Sequence, residues 1–419
     1  MNIFYFIFFI YINQSFELII EFKKEKYDYI NHENLLNNKY FINLKIGNPL
    51  QIIKCYLNMD THIFFISENT TIGGTYNKLL SKTYIKKLPD ITKFRIGKYT
   101  NNIFGYESED EFLIREKEKI KLSFILTKNI SNEIEFNSSI IGLKIKPNIQ
   151  SLNFISQLYK NNLINNEIFY FKYSTNFEGK LIIGNYPHEI NSLYDKKYLK
   201  LIHTQIPIRN LDYEIIFDKI SYFNIKSDTS LMAKFSFDFN GIIGSRYSFY
   251  KLNESFFEPF FKNKICEIQI LNNRKLYGYI CNYNLPIEKF KSIYFYSKQF
   301  NYTFKLDYKD LFLLNNEKFY FLIYFNVNLG DTRWHLGHVF LKKYLIIFNQ
   351  ADALLGFYNN MKNNDNNSKK KIINFSYLTN FLLIIINCII VFIIYYSIKK
   401  KQRKKRKNEI ELDYNNIFS

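Results

Sequence analysis

Trp334-His335-Leu336-Gly337, followed by Phe340, Tyr344, Phe348 and the pair Gly356-Phe357, is the stretch on which the reading of this chain turns. An apolar run stops at a glycine and is answered by aromatic residues at irregular spacing. A similar run, Ile140-Ile141-Gly142-Leu143, occurs earlier in the chain. Each run has an acid upstream at the end of an apolar stretch. Asp60 follows Cys55-Tyr56-Leu57, and Asp238 follows Phe235-Ser236-Phe237. The element appears once in each half, the signature of an internal duplication. Two halves of this kind would each supply one carboxylate to a shared cleft.

Outward from these runs, residues 40–357 are a succession of short aromatic and β-branched segments: Tyr40–Ile46, Ile52–Leu57, Ile63–Ile66, Leu181–Ile183 and Tyr344–Phe348. Turn residues such as Gly47-Asn48-Pro49 and Gly184-Asn185 separate them, which predicts a mainly β domain. Helical periodicity is confined to Ser151–Asn161 and the stretch after Arg246.

The motifs resemble the pepsin-like aspartic protease family. Tyr40 to Gln51 is similar to its opening strand ending in Ile-Gly-x-Pro-x-Gln, and leads to Asp60. Ile140–Leu143 resembles its Gly-Ile-Leu-Gly-Leu segment, Phe154–Phe171 its next helix and aromatic strand, and Gly179–Gly184 the strand closing the first lobe. Trp334 through Phe357 is similar to the Trp-x-Leu-Gly-Asp-x-Phe pattern near the family's end. The resemblance implies a mainly β, bilobal pepsin-like acid protease fold, to which the apolar stretch Phe375–Ile398 adds a C-terminal transmembrane helix. The lobes would occupy residues 40–185 and 186–358, after a short segment at 16–39.

The resemblance also implies a mechanism. In the family two aspartates share one proton and one water, because like charges about 3 Å apart cannot both ionise. One acts as base on the water, and the other protonates the leaving amine. The implied catalytic pair here is Asp60 and Asp238, acting on a peptide or protein substrate with no cofactor and no metal.

Both active-site loops depart from the family's Asp-Thr/Ser-Gly-Ser/Thr. The first reads Asp60-Thr61-His62-Ile63, the second Asp238-Phe239-Asn240-Gly241. His62 and Asn240 replace the third-position glycines; Ile63 and Gly241 replace the fourth-position hydroxyls. Thr61 keeps half of a threonine pair that Phe239 cannot complete, and His62 beside the dyad is placed to pair with a carboxylate. Asn and His are among the residues that tolerate unusual backbone angles, which would let the loops form. The family's flap falls at Phe94–Asp110, with Tyr99 as the equivalent of its tyrosine, and the Asp after Leu-Gly is His338. Two functions follow as expectations: an aspartic endopeptidase, or a catalytically impaired pseudo-protease serving as a membrane-tethered peptide-binding module. A structural membrane protein with an unrelated β domain is a third.

Composition and the chain ends bear on compartment. Of the formal charge of +19, eight positive residues lie between Lys399 and Lys407, and no nucleic-acid motif accompanies them, so no nucleic-acid partner is expected. Ile3–Ile12 suits the apolar core of a signal peptide over residues 1–15, or a buried first strand. Residues 359–374 read as a flexible stalk. The uncharged stretch Phe375–Ile398 is long enough to span a bilayer, and the basic tail 399–419 places the C-terminus in the cytosol. These ends predict a single-pass protein of the secretory pathway or cell surface, with its main domain luminal or extracellular. Candidate glycosylation sequons stand at Asn69, Asn129, Asn137, Asn253 and Asn301. Cys266 and Cys281 flank an Asn272-Asn273 turn, giving either a hairpin disulfide in an oxidising compartment or two buried thiols.

Overall fold

The computed structural model describes residues 17–25, 36, 39–68, 76–88, 92–95, 102–115, 118–130, 139–145, 152–175, 178–204, 212–222, 225–227, 231–237, 239–271, 275–327, 333–359 and 399–400. Strands dominate and follow from residue alternation. In Tyr40–Ile46 the side chains of Tyr40, Ile42, Leu44 and Ile46 are buried, while Asn43 and Lys45 face water. This is the period-two pattern of a half-buried strand. It forms a hairpin with Gln51–Asn58, in register Ile46 to Gln51, across the Gly47-Asn48-Pro49 turn. The expected helices appear at Phe154–Lys160 and Arg246–Leu252. Tyr344–Phe348 forms strand only from Ile347, because a helix, His338–Lys343, runs up to it.

The duplication read from the sequence is present as strand pairing. In the first half, Gln51–Asn58 runs parallel to Ser139–Gly142, which pairs antiparallel with Phe65–Ser67, itself parallel to Lys119–Ile130. In the second half, Leu231–Phe235 runs parallel to Trp334–Leu336. That strand pairs antiparallel with Ile242–Gly244, itself parallel to Ile323–Asn326. In both units the chain leaves a strand end, turns through a loop, and returns beside an incoming apolar run that inserts between the two.

The described residues through Asn359 fall in one compact unit. Late strands join earlier ones: Ile347–Asn349 pairs with Ile168–Tyr173 of the first half, and Leu354–Tyr358 with Leu199–His203 of the second. Phe169 stacks on Phe348 at 5.0 Å across the first of these pairings. The expectation of a bilobal pepsin-like fold closed by a transmembrane helix is corrected: among the described residues no helix is long and apolar enough to cross a membrane. Among the described residues the longest helical run, Arg246–Lys262, carries Arg246, Lys251, Glu254, Glu258 and Lys262, charges that a hydrocarbon core excludes. The expected span 375–398, the signal segment 1–15 and the stalk from residue 360 lie outside the described residues.

Three cysteines complete the frame. Cys266 and Cys281 face each other in adjacent antiparallel strands and are disulfide-bonded, with Cα atoms 4.0 Å apart. Cys55 is fully buried as a free thiol, and burial pushes its pKa up.

Candidate functional site

Asp60 sits just past the end of strand Gln51–Asn58, and its loop, which has no glycine of its own, is held by backbone and side-chain bonds. The Asn58 side-chain oxygen accepts from the N–H groups of Asp60 (2.8 Å) and Thr61 (3.1 Å). The Thr61 hydroxyl, 3% exposed, accepts from the Ile63 N–H at 3.2 Å. Lys144 N–H donates to the Thr61 carbonyl (2.9 Å), and the Asn153 side chain donates to the His62 carbonyl (3.0 Å). The needed glycine is Gly142, on the inserted strand. A Cβ there would lie 2.6 Å from His62 C and from Ile63 N and O.

The second loop is built in the same way. Gly337 N–H donates to the Gly241 carbonyl (3.1 Å) and Val339 N–H to that of Asn240 (3.1 Å). A Cβ on Gly337 would stand 2.2 Å from Gly241 O. Neither His62 nor Asn240 is among the described residues with positive φ, so the loops close without the unusual backbone angles expected of them. Phe239, 3% exposed, packs in a buried cluster with Leu36, Ile243, Leu271, Leu276 and Tyr324. Asn240 N–H donates to the Leu36 carbonyl at 3.2 Å.

Asp238 lies outside the described residues, as does Tyr99. The hairpin expected to carry Tyr99 is formed by Thr92–Arg95 and Asn102–Leu113, in register Arg95 to Asn102. Gly105, in the second strand of this hairpin, packs against the neighbouring strand, where a Cβ would meet Ile125 Cγ2 at 2.5 Å.

What reaches Asp60 among the described residues is a cation. Lys234 Nζ bonds the Asp60 carboxylate and also lies 3.3 Å from Asp212 Oδ2, while Lys144 Nζ is 2.9 Å from Asp212 Oδ1. The result is an alternating chain, Asp60–Lys234–Asp212–Lys144, whose ends come from the first strand unit and whose middle belongs to the second half. It is largely removed from water: the side chains of Asp212 and Lys234 are 5% and 13% exposed, and that of Asp60 is 22%. Cross-strand register places Glu214 and His335 on either side of Lys234. Glu214 is fully buried, with Arg333 Nη1 3.5 Å from its Oε1. Its carboxyl pKa is raised, first by burial and then by Asp212, against the opposing charges of Arg333 and Lys234.

His338, the residue after Leu336-Gly337, is 2% exposed and lies beneath the second loop. Its Nδ1 accepts from the Tyr173 hydroxyl (2.5 Å), and its Nε2–H donates to the Phe237 carbonyl (3.2 Å), one residue before Asp238. Tyr40 lies against the ring at 3.9 Å and Phe237 at 4.3 Å. Burial pushes its pKa down to about 3, the Phe237 carbonyl opposing and nearby Lys24 reinforcing, so the ring is neutral.

Sequence reading missed Lys234, Asp212, Lys144 and Glu214. The available signal was a lysine inside the apolar strand Leu231-Met232-Ala233-Lys234-Phe235, four residues before Asp238. A charge in such a strand either faces solvent or is paired within the fold. In comparisons with known proteins, no family model and no curated protein matches this chain.

Proposed function

We propose that this chain is a divergent relative of the pepsin-like aspartic proteases in which the site around Asp60 binds extended peptides and hydrolyses them poorly or not at all. The observation that carries this reading is the Lys234 ammonium seated on Asp60. Two-aspartate catalysis needs a proton and a water held between two carboxyl groups. An ammonium bonded to one carboxylate competes for the same oxygens and supplies the positive charge the shared proton otherwise provides. Loss of the fourth-position hydroxyls at Ile63 and Gly241 removes further groups that would orient the carboxylates. Family descent is supported by the motifs from Tyr40 to Phe357 and by the strand unit repeated around the two acid positions.

The second reading is an active aspartic endopeptidase. It is favoured by the same repeat, which leads the Asp60 and Asp238 positions out of equivalent strand ends. A single experiment separates the two. The purified chain and an Asp60→Asn, Asp238→Asn variant are incubated with a mixed peptide library from acidic to neutral pH, and peptide binding and cleavage are both measured. Binding without aspartate-dependent cleavage is the expected result. Cleavage that disappears in the variant would establish the endopeptidase instead, and absence of both binding and cleavage would remove both readings.

A further inference from the structure

The hairpin Ile293–Ser297/Tyr302–Leu306 closes through Lys298, Gln299, Phe300 and Asn301, in register Ser297 to Tyr302. Phe300 is fully buried and anchors the turn from within, and Asn301 adopts φ 48°, with its N–H donating to the Lys298 carbonyl at 3.1 Å. Asn301 and Thr303, the first and third residues of Asn301-Tyr302-Thr303, are both exposed. The left-handed turn therefore presents the carboxamide to water with the threonine hydroxyl two residues on. This is the sequence and setting an N-glycosylation acceptor requires: Asn-x-Ser/Thr on a surface loop.

The same motif at Asn253-Glu254-Ser255 has the opposite setting. Asn253 is half-buried at φ −57° and ψ −57° inside the helical run, and its side-chain oxygen accepts from the Tyr279 hydroxyl at 3.5 Å. The Ser255 hydroxyl is already committed to the Lys251 carbonyl at 2.6 Å. A glycan on Asn253 would have to grow from a half-buried carboxamide held against Tyr279, a fully buried ring stacked on Phe249 and Phe257, whereas a glycan on Asn301 would extend into solvent.

We propose that Asn301 is an N-glycan acceptor site of this protein, and that Asn253 is not. In the transfer step the Asn301 carboxamide nitrogen forms a bond to the anomeric carbon of a lipid-pyrophosphate-linked oligosaccharide. The bond from that carbon to the pyrophosphate breaks, the lipid pyrophosphate leaves with the electron pair, and the nitrogen loses one proton. The donor is present where disulfides form, and the Cys266–Cys281 bond fits that same compartment. The site is independent of whether Asp60 catalyses.

The test uses the full chain expressed through the secretory pathway of a eukaryotic cell, purified, and treated with a glycan-releasing amidase in heavy-oxygen water. Released sites become isotopically tagged aspartate and are mapped by mass spectrometry. The expected result is a tag at position 301 and none at 253. One mobility step should be lost in Asn301→Gln and in Thr303→Ala, and retained in Thr303→Ser. An untagged Asn301, whatever the state of the disulfide, would overturn the proposal, as would a tag on Asn253.

Discussion

Acidification should weaken this protein through His338, in the pH range where a pepsin-like enzyme would be expected to work. The ring is enclosed by Tyr173, Tyr40 and Phe237, and its pKa in the folded chain is about 3 against an ordinary value of 6.5. Above pH 6.5 it is neutral both folded and unfolded and contributes no pH dependence. Below pH 6.5 the unfolded chain binds a proton that the folded chain refuses until about pH 3, so stability falls as pH falls. Each pH unit in that window costs about 1.4 kcal/mol, so the loss reaches about 2 kcal/mol at pH 5 and about 3.4 kcal/mol at pH 4. At pH 5 that is roughly a thirty-fold shift toward the unfolded state.

Neighbouring groups do not titrate in the same window. Burial lowers Lys24 to about 8, so it is charged in both states below pH 6, and Tyr173 and Tyr40 are pushed upward. His338→Gln is the informative variant, because its amide can donate to the Phe237 carbonyl and accept from Tyr173 without titrating. Urea unfolding, followed by fluorescence of the single, fully buried Trp334, should be compared for both proteins from pH 7 to pH 4. The wild type should lose about 3 kcal/mol more than the variant across this range. Parallel losses in the two proteins would show that His338 takes up its proton in the folded state and refute the reasoning.

Three further outcomes follow from the packing. Lys234→Met takes the ammonium from Asp60 and leaves Asp212 with Lys144, and should cost about 2–4 kcal/mol, near the lower part of the range for breaking a buried pair because some exposure remains. Adding Asp60→Asn should recover at least about 1 kcal/mol in a double-mutant cycle; strict additivity would show that the contact carries no energy. Gly337→Ala sets a methyl 2.2 Å from Gly241 O and should destabilise by about 2 kcal/mol or more. Gly356→Ala, whose nearest neighbours are side-chain atoms at 3.1 Å, should cost clearly less in the same thermal melt. Replacing both Cys266 and Cys281 by serine opens a loop of 15 residues and should lower stability by about 3 kcal/mol by denaturant unfolding; an unchanged midpoint would contradict this.

The strands, the repeat and the cysteine hairpin were legible in the linear chain because each rests on neighbours within a few residues. Alternation in Tyr40–Ile46, the Gly47-Asn48-Pro49 turn, and the apolar-Gly endings at Gly142 and Gly337 are local patterns whose consequence is fixed by backbone geometry. Even the absence of glycine at His62 and Asn240 was visible, although its consequence was not. The loops are accommodated by glycines about eighty and a hundred residues further along, which only strand insertion brings against them. The partner of Asp60 was likewise hidden. Lys234 lies 174 positions away, on the strand that also carries the chain toward Asp238, and nothing in its own segment says which carboxylate it meets. The chain alone determined which residues are apolar, where it turns and where acids stand at strand ends, since those depend on near neighbours. Only the tertiary structure decided that Asp60 is neutralised by a lysine and that His338 is sealed from protons, because charge pairing and desolvation depend on what distant segments place within a few ångströms.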